Sequence, residues 1–390
     1  MISALDIRER AGEWGLSPDV VEKDYVLGWL LAAIGADPVL GRTFVFKGGT
    51  CLKQCYFETY RFSEDLDFTL TEGAPADPES LTAAFTRVAD RLQAVAGIEL
   101  PPDRFRFEIY QNPRGRPSIE GRVYYRGPLP RPAGNLPRVK LDLTADEVLV
   151  RPTVLRPVWH PYPDADAMGR ATVRSYSYDE LFGEKLRALL ERSRPRDLYD
   201  VVNMYRYEPE RPEAAAVVEA YQAKCRFKGI DAPLAPEGLL PNQHRADLEA
   251  DWAPMLSHQL PELPTLDQFV TALADVAGWL LGAPVEILQP VPIREPVTTW
   301  AAPPMIEVWS AGFPLELIRF AGRNRLCLEL AYQGTTRIVE PYSLRRSRAG
   351  HLLFYGWKVA DGEIRSYRVD RVRGVRVTDR PFAPRFVVEF

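Results

Sequence analysis

The chain has 390 residues, which is too long for one ordinary hydrophobic core and predicts two or three domains. Hydrophobic residues make up 46% of the chain, as in a folded globular protein. No apolar run reaches the ~18 residues of a membrane span, and we recognise no secretory signal at the start. We therefore expect a cytoplasmic protein without a membrane partner. The four cysteines are too few and too scattered for a disulfide framework, and the four histidines lack the spacing of zinc ligands. The net charge is −4, although the segment 337–376 is rich in arginine.

The first 205 residues mix predicted helices with predicted strands. Helices are predicted at 18–35, 51–60, 81–96, 178–193 and 197–205. Strands are predicted at 43–46, 65–70, 104–110, 121–126 and 139–144, with the clearest alternation of apolar and polar residues at 65–70 and 139–144. These signals predict an α+β domain over residues 1–205.

The rest of the chain changes character twice. Residues 206–283 continue a mainly helical pattern, which we expect to complete the first domain, and prolines then mark a linker at 284–317. Short β segments follow within 318–390, separated by turn pairs such as Asp361-Gly362. These strands are predicted at 326–332, 336–340, 352–359, 364–369, 374–378 and 386–390.

A glycine pair between the strand at 43–46 and the next helix is typical of a phosphate site. Gly48-Gly49-Thr50 lets the backbone approach a ligand closely, and the N-terminus of a helix directs N–H groups at an anion. Thr50 adds a hydroxyl. Taken alone, such a motif is usually only a turn.

Three carboxylates fall on predicted strands. Asp65 and Asp67 project from one face of a strand, about 7 Å apart, where they repel each other unless a cation lies between them. Asp142, on a separate strand, can complete such a site. Hard oxygen ligands suit Mg²⁺ or Mn²⁺, and paired ions can assist phosphoryl transfer. Each aspartate alone is also compatible with a solvated strand face.

The order of these features is that of nucleotidyltransferases with the DNA polymerase β-like fold. The longer motifs are Glu22-Lys23-Asp24-Tyr25-Val26-Leu27, Phe46-Lys47-Gly48-Gly49-Thr50-Cys51-Leu52-Lys53, Arg61-Phe62-Ser63-Glu64-Asp65-Leu66-Asp67-Phe68, Glu184-Lys185-Leu186-Arg187-Ala188 and Arg194-Pro195-Arg196-Asp197-Leu198-Tyr199-Asp200. As a set they resemble the AbiEii/AbiGii toxin family over roughly residues 15–280.

The resemblance implies roles for individual residues. It implies nucleotide binding by Lys47, Gly48, Gly49, Thr50, Lys53, Ser63 and Lys185. It implies metal binding by Asp65 and Asp67, to which the fold adds Asp142, and it adds Lys185 and Asp197 to the catalytic set of the three aspartates. The fold it implies is a mixed sheet with flanking helices.

The family also implies a function. Its members include toxins of toxin–antitoxin and phage-defence systems, and some relatives add nucleotides to the 3′ end of tRNA. We therefore expect a Mg²⁺-dependent transferase of NMP from an NTP to an RNA acceptor, with a cognate antitoxin. Two alternatives stay open: transfer to a protein or small molecule, or a nucleic-acid- or ligand-binding regulator with a degenerate NTP-sensing domain.

Arginines also collect next to the expected site. They are Arg114, Arg116, Arg122, Arg126, Arg131 and Arg138. An RNA acceptor end needs such a cluster, although a charged loop of this kind is usually just solvated.

Residues 318–390 resemble a WYL domain, a small SH3-like β-barrel. The resemblance rests on Leu328-Glu329-Leu330-Ala331-Tyr332, Val339-Glu340-Pro341-Tyr342-Ser343-Leu344, Tyr355-Gly356-Trp357 and 364–372. The chain has Leu352-Leu353-Phe354 where the family has Trp-Tyr-Leu. We expect a nucleic-acid or ligand surface made of Tyr342, Tyr355, Trp357, Arg365, Arg368 and Arg371. The alternative is a barrel with core aromatics and solvated arginines.

Overall fold

The computed structural model of the protein describes residues 1–57, 59–112, 114–132, 134–207, 211–241, 244–293, 297–299 and 315–390. These residues belong to two compact units. The first unit covers the described residues within 1–12, 16–192 and 210–233, and the second covers those within 13–15, 193–209 and 234–390. Of the predicted linker at 284–317, residues 294–296 and 300–314 lie outside the described residues.

Helices and strands alternate through most of the described chain. The helices are α1 (Ala4–Trp14), α2 (Pro18–Ala36), α3 (Leu40–Thr43), α4 (Gly48–Cys51), α5 (Pro78–Ala96), α6 (Ala165–Met168), α7 (Tyr178–Arg192), α8 (Pro195–Arg206), α9 (Ala214–Lys228), α10 (Pro236–Leu239), α11 (Arg245–Leu256), α12 (Leu266–Leu280) and α13 (Leu315–Asn324). The strands are β1 (Phe44–Lys47), β2 (Asp65–Leu70), β3 (Arg106–Gln111), β4 (Pro117–Tyr124), β5 (Arg138–Thr144), β6 (Val154–Pro157), β7 (Thr172–Ser175), β8 (Val297–Thr299), β9 (Leu326–Tyr332), β10 (Thr335–Ser347), β11 (Leu352–Lys358), β12 (Glu363–Arg368) and β13 (Val372–Pro381). Among the described residues, no helix combines the length and apolar character needed to cross a membrane.

Local start and stop signals explain the helix bounds. The Ser17 side chain accepts a hydrogen bond from the backbone N–H of Asp19 and caps α2, whose first residue is Pro18. Asp77 caps α5 in the same way, and Gly97, with φ at +69°, ends it. The predicted start of α5 at residue 81 was three residues late because this Asp-Pro signal was not used.

A mixed sheet forms the first unit. Its strand order is β3-β4-β5-β2-β1-β7-β6, in which β2 runs parallel to β5 and antiparallel to β1. One face is apolar and packs against α5, where the rings of Phe85 and Phe107 lie 5.3 Å apart. The other face carries the polar residues of β2, β4 and β5. The predicted α+β class and its mixed sheet are confirmed, while β6 and β7 were not predicted.

The segment after β1 differs from the single helix predicted at 51–60. Helix α4 already begins at Gly48, and from Leu52 to Tyr56 the chain forms a π-helical turn. Residues 59–64 then run without regular structure up to β2. The prediction was wrong here because apolar spacing cannot distinguish a π-helical turn from an α-helix.

The second unit joins helices to an antiparallel sheet. Helix α8 packs against α12, with the rings of Tyr199 and Phe269 stacked at 5.2 Å. The sheet has the order β12-β11-β10-β9-β13, with β8 paired to β10. Its core includes Tyr342, Leu353 and Tyr355. The strand predicted at 386–390 is wrong: this segment has no strand, although Glu389 N–H donates to the Tyr342 carbonyl.

Candidate active site

Adjacent strands bring a lysine and two carboxylates into one row. Lys47 on β1 pairs with Asp67 on β2, and Asp67 pairs with Asp142 on β5. Paired residues point to the same face, roughly 5 Å apart. Asp65 lies on that face as well, two residues before Asp67. The structure therefore brings together the three aspartates that the sequence singled out.

The glycine turn lies directly against this row. Gly48 has φ at +82°, and a Cβ added there would lie 2.1 Å from Oδ2 of Asp67, so only glycine fits. A Cβ on Gly49 would lie 2.4 Å from a guanidinium nitrogen of Arg61. Thr50 Oγ1 lies 2.9 Å from Ser63 Oγ and donates to the Asp65 carbonyl, which fixes the turn to β2. Sequence reasoning gave Arg61 no role, although it is buried against the turn.

The surroundings of Asp67 shift the pKa of its carboxyl group. Burial, followed by the nearby Asp142 and Asp65 carboxylates, raises the pKa of Asp67 to about 6, although Lys47 and Lys185 oppose the change. Burial disfavours the Lys47 ammonium, but acidic neighbours, including Glu147, outweigh it and raise the pKa of Lys47 above its ordinary value. Lys47 is therefore charged at neutral pH, and Asp67 is an anion that a nearby cation would stabilise.

A cavity of about 370 Å³ opens beside the row. Predicted site residues in its lining are Lys47, Gly48, Asp67, Asp142 and Lys185. The lining adds further cations, namely Arg114, Arg187, Arg192 and Lys228. The lining therefore holds six cations and five carboxylates, and its three glutamates, Glu147, Glu184 and Glu191, are paired with its cations. Clustered cations beside the two aspartates are what a metal-bound polyphosphate requires.

A network of buried charges holds the helix that carries Lys185. Lys224 on α9 lies 2.6 Å from Glu180 and 3.6 Å from Glu184, both on α7. Glu184 also pairs with Arg187 at 2.8 Å. Although burial opposes it, Arg187, Lys224 and Lys47 hold the pKa of Glu184 well below its usual range. Helix α7 is thus tied to α9.

The segment after β5 supplies a second group of charges. Glu147 lies 3.5 Å from the Lys47 ammonium and 3.2 Å from that of Lys228. Asp146 lies 3.6 Å from Arg114. Sequence reasoning missed Glu147 and Lys228, because they come from segments 81 residues apart. The Asp146-Glu147 pair directly after β5 was the available signal.

Other predicted residues lie outside the cavity lining. Lys53 is buried in the π-helical turn, with its Nζ 5.0 Å from the centroid of the Phe62 ring. Gly49, Thr50, Ser63 and Asp65 support the row from the turn and from β2. Asp197 is buried in the first turn of α8, in the second unit.

The donor set fits a divalent cation in its chemistry. Asp65, Asp67 and Asp142 are hard oxygen donors on one face, and the pKa of Asp67 is raised by burial and by repulsion from its neighbours, both of which a bound cation would offset. In the described part of the chain, no His, Cys, Asp or Glu group of three or more is gathered closely enough to hold a metal by itself. Substrate phosphates commonly supply remaining ligands to Mg²⁺.

The predicted aromatic and basic surface of the second unit is divided. Tyr342 and Tyr355 are core residues, 0% and 2% exposed. The Trp357 ring lies under the Arg385 guanidinium at 4.9 Å. Arg365 pairs with Glu363 at 2.9 Å and Arg368 with Asp370 at 2.6 Å, while Arg371 is exposed. Buried rings offer no face for stacking a base.

Comparison with known proteins gives family matches to both parts of the chain. Residues 29–275 match the model of the nucleotidyl transferase AbiEii toxin of type IV toxin–antitoxin systems, and residues 315–377 match the WYL domain. No curated protein matches in sequence.

Two solved structures are similar to parts of the chain. MenT4, a nucleotidyltransferase toxin from Mycobacterium tuberculosis H37Rv, is 19% identical with a TM-score of 0.48, over 73% of this chain and 91% of that chain. Proteasome accessory factor B/C of Arthrobacter aurescens is 20% identical with a TM-score of 0.17, over 31% of this chain and 18% of that chain. The AbiEii model, in contrast, spans more than half of the sequence. The chain therefore belongs to the AbiEii family of nucleotidyl transferase toxins, and it also carries a WYL domain.

Proposed function

We propose that the protein transfers a nucleoside monophosphate from an NTP to RNA, at the 3′ end of a tRNA, and that a cognate antitoxin counteracts it. The observation that carries the proposal is the row of Lys47, Asp67 and Asp142, which opens on a cavity lined by Lys185 and further cations.

The cations of the cavity bind the triphosphate. Lys47 pairs with Asp67 in the sheet, and Lys47 and Lys185 both line the cavity and oppose the rise of the Asp67 pKa. Lys228 and Arg114 extend the positive charge along the cavity. The turn at Gly48 keeps the backbone next to the Asp67 carboxylate, which fills the place that a side chain would take, so a phosphate bound through a cation at Asp67 lies beside this turn. These contacts place the α-phosphate next to the carboxylate row.

The carboxylates arrange the reaction. Asp65, Asp67 and Asp142 would hold Mg²⁺, which when bound supplies charge neutralisation for the transferring phosphoryl group. Asp142 accepts the proton of the acceptor hydroxyl. The acceptor oxygen then forms a bond to the α-phosphorus while the bond from that phosphorus to the bridging oxygen breaks, and pyrophosphate leaves with its charge held by Lys47 and Lys185.

The test is incubation with each α-labelled NTP, Mg²⁺ and total bacterial RNA, with Asp67→Asn alongside. We expect label in a tRNA-sized band with the wild-type protein and a loss of at least 100-fold with the variant. Label that enters protein instead of RNA contradicts the RNA acceptor. Equal labelling by the wild type and Asp67→Asn contradicts the assignment of the site.

A further inference from the structure

Side chains on the polar face of the first sheet form successive rows across the strands. The acidic row runs from Asp67 and Asp142 to Glu120 on β4 and Glu108 on β3. The cavity lies on one side of this row, since its lining includes the next row along: Tyr110, Ser118 and Thr144. The NTP of the proposed reaction therefore binds on this side of the acidic row.

A basic row lies on the other side. Lys140 on β5 pairs with Asp65, Arg122 on β4 pairs with Lys140, and Arg106 on β3 pairs with Arg122. These three cations thus stand in line, beginning beside a catalytic carboxylate. Two residues before Lys140 on β5 lies Arg138, which is exposed and pairs with the half-buried Tyr124 on β4.

We propose that this basic face, defined by Arg106, Arg122, Arg138 and Lys140, binds the phosphate backbone of the acceptor RNA and leads its 3′ end to the Asp67–Asp142 pair. The nucleotide and the acceptor then approach the acidic row from opposite sides. The inference rests on the proposed function, because it names how that site takes its second substrate.

The charges of the basic face are only partly compensated. Glu120 lies 2.5 Å from Arg122 and 3.1 Å from Lys140, and Glu108 lies 3.6 Å from Arg122. Asp65 and Asp142 also act on Lys140, and a cation bound by these aspartates would compensate them. Apart from the aspartates, two carboxylates face four cations, which leaves net positive charge on the basic face when that cation is bound. Such half-exposed pairs are weak and yield to phosphate, while Glu120 holds Arg122 and Lys140 above the sheet.

The dimensions suit a single strand. From Asp65 to Arg106 the row crosses three strand spacings, or about 14 Å, which matches about four stacked nucleotides at roughly 3.4 Å each. The ring of Tyr124 lies among the cations and can stack on a base. An unpaired 3′ end suits this face better than a duplex, because an unpaired strand can present its phosphates to the cations and a base to Tyr124 at the same time.

The experiment compares Arg106→Gln/Arg122→Gln/Lys140→Gln with a matched control, Arg42→Gln/Arg91→Gln/Arg170→Gln. The control arginines are exposed and lie outside the polar face. All variants are made in the full chain. A fluorescent RNA hairpin with an unpaired 3′ end is titrated at several salt concentrations, and KM is measured for RNA and for NTP.

We expect the basic-face variant to raise the Kd for RNA at least tenfold and to lower the salt slope by about 2, at about 0.7 for each phosphate contact. KM should rise for RNA and stay within twofold for NTP. Arg138→Gln, a single exposed change, should lower the slope by about 0.7, and Arg122→Lys should retain most of the affinity.

An RNA Kd and salt slope equal to those of the control variant overturn the inference, as does a wild-type protein that binds no RNA. RNA that is bound through the basic face but never labelled supports the inference and overturns the proposed reaction. The two failures are therefore distinguishable.

Discussion

At the scale of single residues, Asp67 is the aspartate of the row whose surroundings disfavour its charged form. It lies between Lys47 and Asp142 in the sheet, and burial with two neighbouring carboxylates raises its pKa to about 6. Its ionised form is therefore unfavourable in the metal-free protein. Because a bound cation would stabilise the ionised Asp67 carboxylate, this site favours the binding of a cation.

The folded protein should become more stable when Asp67 is neutralised. Because its folded pKa of about 6 exceeds the ordinary 3.8, the ionised carboxylate costs stability above pH 6, and the cost disappears as pH falls below 3.8. We expect Asp67→Asn to raise the free energy of unfolding at pH 7 by roughly 1–3 kcal/mol. The gain should vanish near pH 3.5. Denaturant unfolding in EDTA at both pH values checks this, and a gain that does not change with pH contradicts it.

Gly48 differs from the other described glycines with positive φ, because a side chain at Gly48 would collide with a neighbouring residue. Gly48→Ala meets both backbone strain and the Asp67 carboxylate, whereas Gly73→Ala, at φ +79° with no heavy atom within 4 Å, meets strain alone. We expect Gly73→Ala to cost about 1 kcal/mol with full activity. Gly48→Ala should cost more and reduce transfer at least 100-fold. Unfolding curves and labelling assays on both variants measure the two effects, and an active Gly48→Ala protein contradicts the close approach.

At the scale of elements, α7 depends on α9 for its buried charges. Lys224 is fully buried and pairs with the equally buried Glu180, which also accepts hydrogen bonds from the backbone N–H groups of Val150 and Arg151. Lys224→Met leaves that carboxylate uncompensated and should cost about 3–5 kcal/mol. Adding Glu180→Gln should restore part of this, since the amide oxygen still accepts the backbone hydrogen bonds.

A double-mutant cycle in denaturant measures the coupling between Lys224 and Glu180. Strictly additive losses in the single and double variants contradict a direct pair. Recovery in the double variant should also restore transfer, because α7 carries Lys185 into the cavity.

At the scale of the whole molecule, the reactivity of the cysteine thiols can follow the unfolding of each unit separately. Cys51, Cys55 and Cys225 lie in the first unit and Cys327 in the second, and all four are free and buried. Burial raises the pKa of Cys225 and of Cys327 to about 11. The thiols should therefore be unreactive in the folded protein.

We expect pulsed alkylation along a urea gradient to modify the thiols of a unit only as that unit unfolds. Mass spectrometry of the peptides gives the modified fraction of each cysteine, and circular dichroism gives the folded fraction. Modification of Cys51 at urea concentrations where the first unit stays folded contradicts its burial.

The sequence by itself determined much of this protein. Alternating apolar residues defined β2 and β5, the Ser17-Pro18 start signal located α2, and the helical pattern predicted at 178–193 matches α7 closely. The Gly48, Asp65 and Lys185 motifs indicated the family, which the match over 29–275 confirms. These features are local, because each depends on the period or chemistry of a short segment. Where local signals are ambiguous, as in the π-helical turn after Cys51, the prediction was wrong.

Only the tertiary structure decided which residues meet. Strand register aligned Lys47, Asp67 and Asp142 and separated the acidic row from the basic one, and no local pattern specifies the register between strands far apart in sequence. It also brought Glu147 to Lys47 and Lys228, and it placed Tyr342 and Tyr355 in a core. Burial, and the pKa it gives Asp67, depends on packing from distant segments, which is why the sequence named the carboxylates but not their electrostatic state.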